Sequence, residues 1–381
     1  MTGGHDGPRD VPALTGVRAI AAWWVVVYHI RSAFAPWAPG EVMAVLAKGY
    51  LAVDMFFVLS GFVIYLNYRH RIEANAASIA DFMVRRIARI YPLHLLLLLA
   101  TLAYVLAALY ANGSVPQTYA FELLPLNLLL VQNWGFTDQL SWNIPSWSIS
   151  TELFAYILFP AIALGIRWHR WPTWGLWLAA GGLAITLHLY FLAHGAGELG
   201  DDIPGLGLVR CVMQFMIGTA LCALFLRLRA QPPLPLALVG AAIVIGAGVA
   251  IFGWVETLAM PLLWITLILG IALWPGHWAN PLAWRPLVYL GDISYSTYLV
   301  HYLAFIAFKL LFVEDLNAMP LWLAPAFLVA VLVLSVLLYR GFERPAQRWI
   351  LDQWKSRRAT RPRAPAPIDA AKIDSVGQVR S

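Results

Sequence analysis

The chain has 381 residues, of which 61% are hydrophobic and only 12% are charged, and its mean hydropathy is +0.70. Soluble domains rarely have this composition, so we expect an integral membrane protein. The net charge of +6 and the pI near 9.4 do not indicate a nucleic-acid-binding protein, because the basic residues are spread over predicted loops and a tail on one side of the membrane.

Apolar runs recur along the whole chain. A helix needs about 20 mostly apolar residues to cross the hydrocarbon layer of a bilayer. The runs therefore predict an all-α polytopic membrane protein with about ten transmembrane helices, in one membrane-embedded domain over residues 1–350. The predicted spans are 11–30, 48–67, 90–110, 147–166, 172–193, 207–227, 234–252, 257–274, 288–312 and 321–341.

Basic residues are divided unevenly between the connections. Arginines follow the second, fourth, sixth and eighth spans, whereas the connections at 111–146, 194–206, 253–257 and 313–320 contain no Lys or Arg. Because basic loops tend to stay in the cytosol, this asymmetry predicts that both termini are cytoplasmic. The basic, Pro- and Ala-rich tail at 351–381 is predicted to be disordered or to lie near anionic headgroups.

Arg18 and His29 are two ionisable residues in the otherwise apolar first span. At about 100° per residue they are separated by about three turns, so both lie on one helix face, about 16 Å apart. This spacing permits both side chains to line one channel. The alternative is that each side chain reaches the nearer layer of headgroups, as residues near helix ends often do.

Two carboxylates lie at depths similar to that of His29. Asp54 is near the outer start of the second span, and Glu152 is near the outer start of the fourth. A histidine beside an orienting carboxylate is a suitable general base for activating a hydroxyl, so we expect these three side chains to converge. The alternative is a buried charge network that only holds the helices together.

The predicted cytoplasmic end of the third span has two arginines one helical turn apart, Arg86 and Arg89. Such a pair can grip phosphate oxygens with bidentate hydrogen bonds. Arginines at this position are also what membrane topology alone requires. Glu343, at the cytoplasmic end of the last span, is a candidate partner for these arginines, with a local bridge to Arg344 or Arg348 as the alternative.

Two further features allow more than one interpretation. The outer connection at 111–146 contains an apolar, Pro-interrupted segment that favours a re-entrant or interfacial helix. His301 lies in the ninth span beside serines and tyrosines, where it hydrogen-bonds a ligand, lines a pore or has a structural role. No spacing of His and acidic residues is typical of a zinc site, so we expect no metal.

These residues stand in six segments that occur in the order found in one known family. The segments are LTGVRAIAAWWVVVYH, with Arg18 and His29; GYLAVDMFFVLSGFVI, with Asp54; RRIARIYPLH, with Arg86 and Arg89; PSWSISTELFAYILFP, with Glu152; LGDISYSTYLVHYL, with His301; and FERPAQRW, with Glu343. Together they resemble the motifs of the integral-membrane acyltransferase type 3 family, which acylates carbohydrates, lipids and other hydroxylated acceptors.

The resemblance implies an O-acyltransferase of the bacterial inner membrane that uses acetyl-CoA or another acyl-CoA as its donor. It implies that His29 is the principal catalytic residue, with Glu152 as an active-site carboxylate and Asp54 as a second candidate. Arg18, Arg86, Arg89 and His301 are placed on the donor side. The expected acceptor is a hydroxyl of a cell-surface or lipid-linked saccharide, with a small hydroxylated metabolite as the alternative.

The predicted topology gives this reaction a direction. CoA is cytosolic, so its phosphates would meet Arg86 and Arg89 while its thin arm passes Arg18 towards His29. Two other classes of function, a proton-coupled transporter and a scaffolding membrane protein, would explain intramembrane charges but not the six motifs. Membrane lipid is the other expected partner, nucleic acid is not, and the sequence leaves open the oligomeric state and a covalent acyl-enzyme intermediate.

Overall fold

The computed structural model describes residues 11–228, 234–274, 280–312 and 320–359. Within these ranges every regular element is helical. The α-helices are α1 (Pro12–His29), α2 (Gly40–Ala47), α3 (Ala52–Ala74), α4 (Ala77–Asn112), α5 (Leu124–Leu129), α6 (Ser146–Gly165), α7 (Thr173–Ala193), α8 (Ile203–Leu228), α9 (Leu234–Phe252), α10 (Glu256–Leu273), α11 (Arg285–Asp292), α12 (Ser294–Phe312), α13 (Ala324–Leu338) and α14 (Arg344–Ala359).

In the described part of the chain, nine helical segments are long and apolar enough to cross a membrane. They contain α3, α4, α6, α7, α8, α9, α10, α12 and α13, which correspond to nine of the ten predicted spans. α1 corresponds to the remaining predicted span, 11–30. It is not among the nine helical segments, because Arg18, His29 and its aromatic residues lower its mean hydropathy. The chain is therefore an all-α polytopic membrane protein, as its composition predicts.

The structure moves three predicted boundaries. α4 begins at Ala77 rather than near residue 90, so Arg86 and Arg89 lie well inside a helix of 36 residues. The predicted span at 288–312 is divided at Ile293 into the short α11 and the longer α12. Residues 351–359 of the predicted tail continue α14, and the rest of that tail lies outside the described residues.

Contacts between helix ends show which connections lie at the same end of the bundle. At one end of the bundle, Trp354 of α14 donates to Asp81 near the start of α4, and Arg340 donates to Tyr289 of α11, which also packs against the start of α1. At the opposite end, Lys48 forms salt bridges with Glu198, which precedes α8, and with Glu256, the first residue of α10. The start of α1 and the end of α14 therefore lie on the same side, as an even number of spans requires.

α3 and α8 pack closely at the centre of the bundle through two glycines. A Cβ on Gly61 would lie 2.0 Å from the Phe215 carbonyl oxygen, and a Cβ on Gly218 would lie 2.0 Å from the Val58 carbonyl oxygen. Only glycine permits this approach of the two backbones, which is a common device for packing helices in membranes. The close contact fixes the position of Asp54 on α3 relative to α8.

The outer connection between α4 and α6 contains less helix than the sequence suggested. Its only α-helix is α5, which has six residues, preceded by two 3₁₀ turns. The end of the connection reaches into the bundle, where Asn143 donates to the Leu299 carbonyl of α12 at 3.3 Å. The adjacent Trp142 is buried and has a positive φ of 57°, an uncommon backbone conformation for a large side chain.

α13 and α14 are joined without a break by a π-helical turn, Tyr339–Glu343. Pro345 lies just beyond this turn and has no N–H to donate to the carbonyl of Gly341, so the regular α-helical pattern is interrupted there. The wider turn places the Glu343 side chain inside the bundle, where it is only 2% exposed. One local irregularity thus brings a carboxylate to the start of α12 and the side of α4.

Candidate active site

A cavity lies between α1, α3, α4, α6 and α12. It has a volume of about 870 Å³, including the space at its open mouth. Four of the ionisable residues predicted from the sequence line it together: Arg18, Arg86, Arg89 and Glu152. The structure therefore brings the predicted donor arginines and one predicted carboxylate to a single site, and we call this space the donor cavity.

Arg18 is the least satisfied charge of the donor cavity. It makes no hydrogen bond or salt bridge within the described ranges, although the charges of Arg89, Glu152 and Asp292 are close to it. Because α1 begins at Pro12, Arg18 lies more than one turn inside the helix and faces the cavity rather than the headgroups. An arginine held there without a carboxylate partner is suited to bind an anion.

Arg86 and Arg89 are partly occupied by neighbouring side chains. Arg86 donates to the Tyr68 hydroxyl at 3.0 Å, but its buried Nε has no partner. Arg89 forms a salt bridge with Glu343, as the sequence suggested. Glu343 also accepts from Ser296 at 2.5 Å, which ties the start of α12 to the last span. Arg18 and Arg86 thus keep N–H groups for a ligand, whereas Arg89 is paired with Glu343.

The inner end of the donor cavity is closed by a chain of hydroxyl groups. Ser148 donates to the Tyr298 hydroxyl at 2.9 Å, and Tyr298 donates to the Pro145 carbonyl at 3.1 Å. Ser294, one turn before Tyr298 on α12, is buried and its hydroxyl has no partner. The cavity therefore offers a ligand an unused hydroxyl as well as unused guanidinium groups.

Asp54 does not join His29, contrary to our expectation. Its carboxylate accepts from Arg210 Nε at 2.7 Å and from Arg210 Nη2 at 2.5 Å, and it also accepts from Gln214. All three side chains are at most 1% exposed. The reason is the tight packing of α3 on α8, which sets Asp54 opposite a buried arginine. In the sequence, Arg210 was an arginine well inside the predicted span 207–227, whose other arginine, Arg227, is at its end, and this signal was missed.

The ion pair is part of a larger set of paired charges near the outer end of the bundle. Arg210 also donates to the Leu199 carbonyl at 2.6 Å, and the Leu199 amide donates to Glu256 at 2.7 Å. Glu256 in turn forms a salt bridge with Lys48 at 2.7 Å. We call Asp54, Arg210, Glu256 and Lys48 the outer charge network. Every charge in it has a partner of opposite sign.

His29 is the last residue of α1 and is not among the residues that line the donor cavity with Glu152. Its Nδ1 is 2.8 Å from the Val25 carbonyl oxygen, so Nδ1 carries the proton and donates it. The neutral ring therefore has its lone pair on Nε2, which is the form that a general base requires. Among the described residues His29 makes no hydrogen bond or salt bridge with either carboxylate.

His301 is the ionisable residue that the structure places against His29. The two ring centroids are 4.8 Å apart, and the rings meet edge to face. The His301 ring also lies 5.8 Å from the ring of Tyr298, which lines the donor cavity. Tyr298 and His301 thus stand between the cavity and His29, which is not one of the residues lining it. The sequence had placed His301 near the donor but had not paired it with His29.

No group of three or more His, Cys, Asp or Glu side chains in the described ranges is arranged to hold a metal ion. The described site offers arginines, hydroxyl groups, imidazoles and the Glu152 carboxylate. Guanidinium groups bind anions, and an imidazole with a free lone pair accepts protons. The donor cavity and the histidine pair are the parts of the molecule suited to these two tasks.

Comparisons with known proteins identify relatives of the chain. The chain is 36% identical to "Acyltransferase MdmB" of Streptomyces mycarofaciens over 47% of its own length and 46% of that protein. It is 23% identical to "O-acetyltransferase OatA" of Staphylococcus aureus over 90% of its length and 58% of that protein. It is 26% identical to "Peptidoglycan O-acetyltransferase OatA" of Listeria monocytogenes over 43% of its length and 26% of that protein.

The chain therefore spans about half the length of the first two relatives and less of the third. No solved structure matches it. A family model described as an acyltransferase domain matches residues 11–340, which include every helix that contributes to the donor cavity. The chain belongs to the acyltransferase type 3 family.

Proposed function

We propose that this protein is a membrane-bound O-acyltransferase that moves an acetyl group from cytosolic acetyl-CoA to a hydroxyl of a cell-surface or lipid-linked saccharide. The observation that carries the proposal is the donor cavity, in which Arg18, Arg86 and Glu152 meet with unused hydrogen-bonding groups. Arg86 and Arg89 line it from the arginine-rich end of α4, on the side that the distribution of basic residues assigns to the cytosol.

The donor side of the proposal rests on charge. An acyl-CoA carries several phosphates at one end and a thin uncharged arm at the other. Arg86 and Arg89 suit the phosphates, and Arg18 and the free Ser294 hydroxyl line the same cavity. The acetyl group is favoured as the one transferred because two of the relatives are named O-acetyltransferases.

The acceptor side rests on position and on the relatives. His29 lies at the end of α1 opposite the donor arginines, so an acceptor would approach it from outside the cell. One relative is named a peptidoglycan O-acetyltransferase, which favours a saccharide polymer of the cell surface. The same reasoning favours the inner membrane of a bacterium, because this membrane separates cytosolic CoA from such acceptors.

The chemistry follows from the tautomer of His29. The acceptor oxygen attacks the thioester carbonyl while its proton moves to His29 Nε2, and the bond between carbon and sulfur then breaks with the electron pair on sulfur. The thiolate regains the proton from His29 and leaves as CoA. Val25 holds the Nδ1 proton throughout, which is the orienting role that the sequence led us to expect of a carboxylate.

The donor arm has to pass the hydroxyl groups at the inner end of the cavity. Tyr298 and Ser148 are hydrogen-bonded to each other there, so an arm that reaches His29 displaces this contact. Glu152 lines the same cavity and has Tyr156 as a neighbour. We infer that Glu152 balances the charge of Arg18 in the active site. Asp54, whose carboxylate is fully occupied by Arg210 and Gln214, is given a structural role.

The test is His29→Ala in the purified full-length protein, reconstituted in lipid nanodiscs with labelled acetyl-CoA and soluble peptidoglycan fragments. We expect the rate of acetyl transfer to fall by at least about 100-fold, because the general base is lost. Transfer is measured by label in the fragments and by their mass. A His29→Ala variant that keeps the wild-type rate would contradict the mechanism.

His194→Ala is the matched control. His194 follows the end of α7, and its Nδ1 contacts the carbonyl four residues earlier at 2.8 Å, as in His29, but its side chain is exposed to solvent. This variant should transfer acetyl groups at the wild-type rate. A wild-type protein that releases no CoA and labels no acceptor under these conditions would contradict the proposed donor and acceptor together.

A further inference from the structure

Two histidines in contact have the same hydrogen-bonding state. His29 donates from Nδ1 to the carbonyl of Val25, and His301 donates from Nδ1 to the carbonyl of Tyr298 at 2.5 Å. Each neutral ring therefore has a lone pair on Nε2. The two rings belong to α1 and α12, and their centroids are 4.8 Å apart. Neither lone pair is used by another described residue.

The Nε2 atom of His301 is a hydrogen-bond acceptor buried without a donor. The side chain is 0% exposed, and Nε2 is among the buried polar atoms that have no partner. A buried acceptor left in this state is costly, and in a native protein it calls for an explanation. The groups packed around the pair are the rings of Tyr28, Tyr298, Tyr302 and Phe305. The charge of Arg31 acts on His29, and Lys309 lies over the far ring of Phe305, 4.9 Å from its centroid.

The missing donor is supplied when His29 acts as a base. Protonated His29 has two N–H groups, of which only the one on Nδ1 has an acceptor in Val25. The second N–H is on Nε2, and no carboxylate bonds to His29 among the described residues. An imidazolium with an unpaired N–H next to a membrane interior is unfavourable. His301 has the unused acceptor that this cation lacks.

We propose that His301 is a positioning residue for the base, which accepts a hydrogen bond at Nε2 from the Nε2–H of protonated His29 and so stabilises the cation during acyl transfer. The inference rests on the proposed function. The acceptor's oxygen–hydrogen bond breaks as its oxygen binds the acyl carbon, and the proton moves to His29 Nε2. This new N–H is shared between His301 Nε2 and the reacting groups until the carbon–sulfur bond breaks and the leaving thiolate takes the proton. His301 gains and loses no proton overall.

The experiment compares His301→Leu and His301→Gln in full-length protein in nanodiscs, with acetyl-CoA and soluble peptidoglycan fragments as probes. Leu removes the acceptor, whereas Gln can place an amide oxygen near the position of Nε2. We expect His301→Leu to lower kcat by about 10- to 100-fold, the value of a hydrogen bond to a charged group, with the KM for acetyl-CoA within about twofold of wild type. His301→Gln should recover at least half of this loss on a logarithmic scale.

His94→Leu is the matched control. His94 is also buried, contacts one backbone carbonyl, that of Asn127, at 2.8 Å, and has an unpartnered second ring nitrogen, but it lies on α4 against the outer connection. Its replacement should leave kcat near wild type. The inference is overturned if His301→Leu matches His94→Leu in kcat, if its effect is on the KM for acetyl-CoA, or if His301→Gln is as slow as His301→Leu.

These outcomes differ from a failure of the proposed function. If the wild-type protein neither releases CoA from acetyl-CoA nor labels the fragments, the proposed reaction and the role of His301 in it are both rejected. If the wild type is active and His29→Ala is inactive, the proposed function stands and the two His301 variants decide the inference alone. If both His29→Ala and His301→Leu are fully active, the histidine pair has no part in the reaction.

Discussion

The molecule contains two buried sets of charged residues that differ in how their charges are paired. In the outer charge network, Arg210 binds Asp54 and Glu256 binds Lys48, so each charge has an opposite partner within hydrogen-bonding distance. In the donor cavity, Arg18 has no such partner and Arg86 has a buried Nε without one. Both sets lie between membrane-spanning helices of the same domain.

The difference indicates what each set does. An unpaired charge inside a membrane protein is unfavourable unless something else binds it, so we expect a ligand at Arg18. Fully paired charges need no ligand, and they join helices that would otherwise have only apolar contacts. We therefore assign the outer charge network to stability and the donor cavity to binding, and substitutions in each set test this assignment.

The largest effect is expected from Arg210→Met. The substitution keeps most of the apolar stem but leaves the Asp54 carboxylate buried without its partner. Breaking one side of a buried ion pair costs about 3–5 kcal/mol, so the free energy of unfolding should fall by about this amount. Unfolding of the purified protein by a denaturing detergent measures it.

The double variant Asp54→Leu, Arg210→Met separates pairing from packing. Removing both charges avoids the unpaired carboxylate, so the double variant should recover most of the lost stability. Its rate of acetyl transfer, per folded protein, should stay close to wild type. A double variant as unstable as Arg210→Met, or one that folds stably but is inactive, would show that Asp54 does more than hold α3 to α8.

Arg18→Met is the same exchange made in the unpaired set, and it should have the opposite profile. No carboxylate loses a salt-bridge partner, so the unfolding free energy should not fall. The donor loses a charge-assisted hydrogen bond, so the KM for acetyl-CoA should rise by about 10- to 100-fold. Initial rates of CoA release over a range of acetyl-CoA concentrations measure this change.

Arg227→Met is the control for net charge. Arg227 lies at the same side of the membrane, at the end of α8, and donates to the His169 carbonyl away from the donor cavity. Its loss should leave the KM for acetyl-CoA unchanged. If Arg18→Met and Arg227→Met alter the KM equally, the arginines act through topology or general charge, and the cavity is not the donor site.

Much of the fold was readable from the sequence because crossing a bilayer imposes a length and an apolar composition on each span. All ten predicted spans correspond to helices, and the contacts between helix ends agree with termini on one side. The predictions failed where a helix is not simply a span. The division at Ile293 and the early start of α4 at Ala77 depend on packing between helices, which hydropathy does not report.

The contacts of the site residues were predicted less completely than the helices, because they also depend on packing between helices. Spacing along one helix places Arg86 and Arg89 on a common face, and the structure places both in the cavity. Depth within the membrane suggested that Asp54 and His29 would meet, but depth says nothing about which neighbour a helix faces. Asp54 faces α8, and His29 faces α12. The sequence showed Arg210 and His301 as polar residues in apolar spans, but not their partners.

Glu343→Gln tests the ion pair between Arg89 and Glu343, which combines a cavity arginine with a buried counter-charge. Arg89 lines the donor cavity, yet it is paired with Glu343, which the π-helical turn buries beside Ser296. Gln keeps the shape and can still accept from Ser296, but it removes the counter-charge that orients the Arg89 guanidinium. Both the unfolding free energy and the affinity for acetyl-CoA should therefore fall, the first by less than in Arg210→Met and the second by less than in Arg18→Met.

Glu73→Gln is the control, because Glu73 bridges Arg69 at 3.9 Å on the same side of the membrane but outside the cavity. Its weaker and more exposed ion pair should contribute little to stability and nothing to the KM for acetyl-CoA. A Glu343→Gln variant that loses stability alone would assign Arg89 to the structural set of charges. One that loses donor affinity alone would show that Glu343 serves only to orient Arg89. Loss of both would mean that a single ion pair closes the bundle and shapes the donor site.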